Sequence, residues 1–134
     1  MSPMFGTAVL AINALFCLFT AWDSATAPVT FAAKLGLGII NAGGINEIRA
    51  QYAGFFFAVA VVCTASLLGL LSRQASFVVM GAVYGGLLAG RIVSLALNAG
   101  VAGYGSTILA LYIIDAIGLA LAVASFIFDH PGKA

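Results

Sequence analysis

"STILALYIIDAIGLALAVASFIF", residues 106–128, carries one charged side chain, Asp115, in an otherwise apolar run. Wound as an α-helix at about 1.5 Å per residue, a run of this length matches the roughly 30 Å hydrocarbon core of a bilayer. In lipid a helix satisfies its own backbone, whereas an isolated strand does not, so the stretch reads as a membrane-spanning helix. No ten-residue alternating segments of the kind that build barrels accompany it.

The rest of the chain repeats the pattern. Of its 134 residues, 63% are hydrophobic and 7% are charged, against about 25% charged in ordinary soluble domains. Nine charges, five basic and four acidic, do not cover the surface of a water-soluble fold of this length. Three further apolar segments precede the first, giving spans at about 4–22, 47–71, 75–97 and 106–128. The expected fold is therefore all-α: a polytopic membrane protein forming one four-transmembrane-helix bundle over residues 1–134. Trp22 sits where an interfacial anchor belongs. "ATA" at 25–27 resembles a signal-peptidase site. The leader lacks a basic residue and a proline follows the supposed cut, so the first segment is read as a permanent span.

Three connections join the spans. Ser72-Arg73-Gln74 is tight, and "NAGVAGYGS" (98–106) is glycine-rich. The long one, residues 23–46, contains "VTFAAKLGLGII", too short and glycine-rich to span; it is expected as an interfacial helix or a re-entrant loop. Arg73 and both termini fall on one side of the membrane, Lys34 and the helix-edge Arg49 on the other. The basic residues nearly balance. Because the positive-inside rule is strongest in short loops, Arg73 places both termini in the cytoplasm, with a bacterial inner membrane as the location.

Charges inside spans need a reason, since one near a helix centre costs roughly 2.5–3.5 kcal/mol on insertion scales. Arg91 lies about six residues inside the third span, and Asp115 lies near the middle of the antiparallel fourth. Tyr84, Arg91, Ser94 and Asn98 share a helical face, as do Tyr112, Asp115 and Gly118 on the fourth helix and Glu47, Gln51 and Gly54 on the second. Asn13, Cys17 and Thr20 form a weaker stripe on the first. Glu47, Arg49, Gln51, Tyr84, Arg91, Ser94, Tyr112 and Asp115 are thus the candidate ligand-binding residues, or equally a structural ion-pair cluster. Ala82, Gly86 and Gly90, with a second row at Gly81 and Gly85, mark close helix packing, inside the monomer in preference to an oligomer interface.

Other motifs are empty. Cys17 and Cys63 read as apolar filler at unequal depths. His130 is the single histidine, so neither a histidine-rich metal site nor a two-histidine haem site is expected, and no cofactor. No serine nucleophile motif, phosphate loop or CxxC is present. "FFF" at 55–57 is expected against lipid or in the core. The net charge of +1 offers nucleic acid no electrostatic footing.

"NEIRAQYAGFFFAVAV" (46–61) and "GRIVSLALNAG" (90–100) together resemble a family of small four-helix bacterial membrane proteins of unknown function, distantly related to the DoxX-like group. Glu47, Ile48, Arg49, Ala50, Tyr52 and Gly54 match its "EIRA-Y-GG" element; Gly90, Arg91, Ser94, Leu95 and Gly100 match its "GR--SL---G" element. Ala53 stands where the first glycine of the pair is usual. Asp115 replaces the usual glutamate and shortens the reach to Arg91. The resemblance covers about residues 5–128 and implies the four-helix fold without assigning a reaction.

The leading functional reading is a non-catalytic accessory or packing subunit of a larger membrane complex, with lipid and other membrane subunits as partners. The alternative is a binder or transporter of a small amphiphile, a lipid or quinone, at the Glu47, Arg49, Arg91 and Asp115 charges. A membrane enzyme using the same carboxylates ranks third.

Overall fold

A computed structural model describes residues 3–97 and 103–129. The chain is all-α: α1 (Pro3–Thr26), α2 (Pro28–Lys34), α3 (Ala42–Ile48), a π-helical segment (Arg49–Gly54), α4 (Phe55–Leu67), α5 (Arg73–Leu97) and α6 (Ser106–Phe128). No strand occurs among the described residues. Helices α1, α5 and α6, and the continuous run Ala42–Leu67, are each long and apolar enough to cross a membrane. The result is a multi-pass α-helical membrane protein.

Helix ends follow local chemistry. The first span continues past Trp22 to Thr26, because Ser24 and Thr26 turn their hydroxyls back onto the carbonyls of Thr20 and Trp22. Such back-bonding hides polar groups within the helix. Pro28, which has no N–H to extend α1, instead opens α2 at its first turn. The second span begins at Ala42, five residues before Glu47, where the extended Asn41 accepts hydrogen bonds from the N–H groups of Gly43 and Gly44. It ends at Leu67, four residues before Leu71. There Gly69 takes φ +74° while Leu70 N–H reaches Ala65 O and Gly69 N–H reaches Ser66 O. This is the Schellman arrangement, which needs a left-handed residue after the helix. Gly36 closes α2 in the same way, so the connection expected as interfacial helix or loop holds a seven-residue helix and then a non-helical stretch.

The chain packs as two compact units: residues 1–9 with 72–134, and Leu10–Leu71. The single helix α1 contributes to both.

In the first unit, α5 and α6 form an antiparallel hairpin whose facing residues step past one another in register. Gly81 lies opposite Ala122, Tyr84 opposite Gly118 and Gly85 opposite Leu119. Phe77, Met80, Tyr84, Ala122 and the small polar Ser76 and Ser125 are buried. The closest approach is at Gly118: a methyl group there would stand 2.7–2.8 Å from the ring carbons of Tyr84. Gly81 and Gly85, by contrast, leave room for a methyl at ordinary contact distance, and Gly86 and Gly90 have no neighbour within 4 Å. The residue that the hairpin needs small is therefore Gly118, and the Gly86–Gly90 row faces open space. A four-residue spacing of small side chains marks two faces of α5 without saying which of them meets a bulky ring.

In the second unit the run Ala42–Leu67 is interrupted by the π segment, in which Phe55 N–H reaches Ala50 O five residues back. The face proposed for Glu47, Gln51 and Gly54 assumes a 3.6-residue period, which a wider turn across Arg49–Gly54 does not keep. No residue type in "RAQYAG" signals this. Val59, Ala60 and Cys63 are buried on α4, and Asn13 Nδ2 donates to Cys63 Sγ at 3.2 Å, so the amide finds a soft acceptor in the apolar interior. Cys17 and Cys63 are both buried free thiols. Phe55 and Phe57 are exposed, which in this solvent means facing lipid.

Gly118→Ala is expected to destabilise the protein by about 1–3 kcal/mol, the usual cost of overpacking a well-filled site. In a Tyr84→Ala background the same change should cost almost nothing. Detergent-solubilised unfolding of the four proteins of this cycle measures the coupling.

Candidate functional site in the α5–α6 hairpin

The polar stripes of α5 and α6 meet. Arg91 Nε donates to Asp115 Oδ2 at 2.5 Å. The Tyr112 hydroxyl donates to the Arg91 carbonyl at 2.9 Å, and the guanidinium carbon lies 5.8 Å from the Tyr112 ring centroid, within cation–π range. Ser94 and Tyr104 share a hydrogen bond at 3.1 Å. The Tyr104 and Tyr112 rings are 6.3 Å apart and tilted by 31°. Helix geometry places these groups together: Arg91 and Ser94 are one turn apart on α5, and Tyr112 and Asp115 are one turn apart on α6.

Exposure separates the two charges. Asp115 is 2% exposed, so its carboxylate depends on Arg91. The Arg91 side chain keeps 20% of its surface exposed. It meets Asp115 through Nε alone, and its two terminal nitrogens have no hydrogen-bond acceptor among the described residues. A guanidinium presents five N–H donors in a planar fork, so four are left for another acceptor. The bond to Asp115 fixes where that fork lies.

The other candidates fall elsewhere. Tyr84 is buried against Gly118 one turn and more below the pair. Glu47, Arg49 and Gln51 belong to the second unit and are exposed. There Arg49 Nε donates to the Ala25 carbonyl at 3.1 Å, a cation on the last turn of α1, where the helix dipole favours one. Lys34 pairs with Asp23 at 2.9 Å, and Phe31 packs on Tyr52 with ring centroids 5.1 Å apart. These contacts fold α2 back onto the end of α1 and onto the π segment. The second unit also carries an open, apolar groove of about 350 Å³ lined by Leu18, Phe57, Ala60, Val61 and Leu68 among others. Asn98, Gly100, His130 and Lys133 lie outside the described residues. No group of three or more His, Cys, Asp or Glu side chains gathers among the described residues.

Two features escape a reading of the sequence. Tyr104, in the glycine-rich connection, supplies the second ring and the partner of Ser94; only the closing of the hairpin brings it back over α6. The second is an ion pair at the hairpin's other end. Arg73 Nε lies 2.6 Å from Asp129 Oδ2, Arg73 Nη1 donates to Thr7 Oγ1 at 3.0 Å, and Gln74 Nε2 donates to the Asp129 carbonyl at 2.7 Å. Arg73 opens α5 and Asp129 caps the end of α6, so each charge sits at the helix end where the dipole opposes it. Their pairing offsets both. Gly6 of α1 makes room for the pair: a methyl there would stand 2.5 Å from Arg73 Nη2 and 2.8 Å from Asp129 Cγ. The signal was available, since an antiparallel hairpin brings the start of one helix to the end of the next.

No family model, no curated protein and no solved structure matches this chain.

Removing one partner of the buried pair strands the other. Asp115→Leu is expected to lower stability by about 3–5 kcal/mol, whereas the double variant Arg91→Leu/Asp115→Leu should recover most of that loss. Unfolding midpoints in a mild detergent check both; a double variant as unstable as the single one would show that more than the pair is at stake.

Proposed function

We propose that this membrane protein is a non-catalytic binder of a small amphiphile, whose polar end is received at Arg91 in the α5–α6 hairpin. The observation that carries this reading is the half-used guanidinium. Arg91 is anchored by a buried carboxylate through one N–H, and its terminal nitrogens, inside a span, have no acceptor among the described residues. Unmet donors in hydrocarbon cost several kcal/mol each, so an acceptor brought by a ligand stabilises the site. An intramembrane ionisable residue with a named partner is, by default, a functional candidate. Glu47 and Arg49, first grouped with this site, take no part in the proposal.

The test is purification in a mild detergent followed by extraction and mass spectrometry of the bound lipids. Wild-type protein should carry one amphiphile in near-stoichiometric amount, and Arg91→Leu/Asp115→Leu should lose it while remaining folded. Equal lipid content in both proteins would sink the reading.

A second reading, an accessory subunit of a larger membrane complex, draws support from the open Gly86–Gly90 row on α5, since small residues admit close helix approach in lipid. It predicts that the wild-type protein migrates in a large assembly on native gels and that Gly86→Leu releases it. Kinship with the DoxX-like group belongs to the proposal too, supported by the two motifs alone.

We further infer a bacterial inner-membrane location with both termini in the cytoplasm, supported by Arg73 beside the short connection before α5. A periplasm-active reporter fused after residue 134 should be inactive and a cytoplasm-active one active; the reverse pattern would overturn the assignment.

A further inference from the structure

We infer that the polar end received by Arg91 is an uncharged carbonyl, as borne by a quinone ring or an acyl ester, and not a phosphate or carboxylate. The inference rests on the amphiphile reading and adds to it the chemistry of the head group. Three observations carry it.

The first is depth. Helix α6 has 23 residues, about 34 Å at 1.5 Å per residue, so it overhangs a 30 Å hydrocarbon core by only about 2 Å at each end. Asp115 is nine residues beyond Ser106, which puts it roughly 11 Å below the hydrocarbon surface on the same arithmetic.

The second is direction. Side chains on a helix lean toward its N-terminus. On α5 that lean carries Arg91 away from the nearer membrane face, and the contact with Asp115 confirms it. Tyr112, whose hydroxyl bonds the Arg91 carbonyl, marks the level of the Arg91 backbone. Asp115 lies one turn deeper. The arginine reaches inward instead of snorkelling outward, so its free nitrogens sit well below the plane of lipid phosphates.

The third is charge. Arg91 and Asp115 neutralise one another, and no other charged side chain is bonded to either among the described residues. Adding an anion would leave a net negative charge in hydrocarbon, with its full desolvation cost and no second cation among the described residues to offset it. A carbonyl oxygen accepts the same N–H groups at no charge cost. The Tyr112 ring beside the guanidinium, with Tyr104 next to Tyr112, adds apolar, stackable surface suited to a flat or acyl-linked head group.

The test uses the full chain in nanodiscs of ether-linked phosphatidylcholine, which brings no carbonyl of its own. Guanidinium nitrogen resonances are followed by NMR, that of Arg91 being assigned by its loss in Arg91→Lys. Three short-chain probes are titrated: a benzoquinone, a diacylglycerol and a phosphatidylglycerol made with ether links. A saturable shift of the Arg91 resonance by the benzoquinone or the diacylglycerol, at least tenfold tighter than any shift by the anionic probe, is the expected result. Which neutral probe binds tells the quinone source from the ester source. In Arg91→Lys, which keeps the charge but loses the fork, binding is followed on the ring resonances of Tyr112, which touches residue 91, and the tighter of the two should bind at least tenfold more weakly. Preferential binding of the phosphatidylglycerol would overturn the head-group inference and leave the amphiphile reading intact. Silence of all three probes, with an Arg91-dependent amphiphile still co-purifying, would overturn it as well. Absence of any co-purifying amphiphile would remove the underlying reading itself.

Discussion

The contact between Arg91 and Asp115 governs the hairpin. In hydrocarbon neither charge is tolerable alone, and the two reach one another only when α5 and α6 lie antiparallel with Asp115 one turn below Arg91. That requirement sets the register for every other facing pair. Tyr84 falls onto Gly118, Gly81 onto Ala122, and, at the far end, Arg73 onto Asp129. A slip by one turn would place the Tyr84 ring against a side chain larger than glycine and would separate both ion pairs at once. The hairpin is thus specified by polar groups, although most of its surface is apolar. This is the expected division of labour where lipid is as apolar as leucine and the hydrophobic effect does not choose between helix pairings.

The two ion pairs differ in what they leave over. At the Arg73–Asp129 end, Thr7 and the Asp129 carbonyl complete a local network, Gly6 lies against it, and the pairing offsets two charges that the helix dipoles oppose. That network is a fastening. At the Arg91–Asp115 end, the acceptor takes a single N–H of the guanidinium, and two tyrosine rings and a serine stand beside it. The one-point contact leaves four guanidinium N–H groups without an acceptor among the described residues, and the proposed amphiphile site rests on them.

The second unit shows how little charge is needed to shape the connection between the first two spans. Arg49 on the Ala25 carbonyl, Lys34 on Asp23 and Phe31 on Tyr52 hold α2 against the end of α1 and the start of the second span. The exposed ion pair is worth under about 1 kcal/mol by itself; its effect is to choose an orientation that the aromatic contact then fills. The π segment that follows changes the helical phase between Glu47 and the phenylalanines of α4.

Much of this was written in the order of residues. Four runs too apolar for water, bounded by charges and glycines, determine an all-α membrane protein, because a lipid solvent leaves a single-pass segment no other way to satisfy its backbone. The one-face spacing of Tyr84, Arg91 and Ser94, and of Tyr112, Asp115 and Gly118, likewise determines that these stripes turn away from lipid. What tertiary structure alone decided is which atoms meet. Gly118 and not Gly86 bears the close approach, since that depends on Tyr84 lying opposite. Tyr104 joins the site because the hairpin closes. The π turn across Arg49–Gly54 breaks the 3.6-residue period that would carry the Glu47 face on to Gly54. Periodicity reports which side of a helix a residue is on; it carries no information about the partner across the gap or the nitrogen through which an arginine is held.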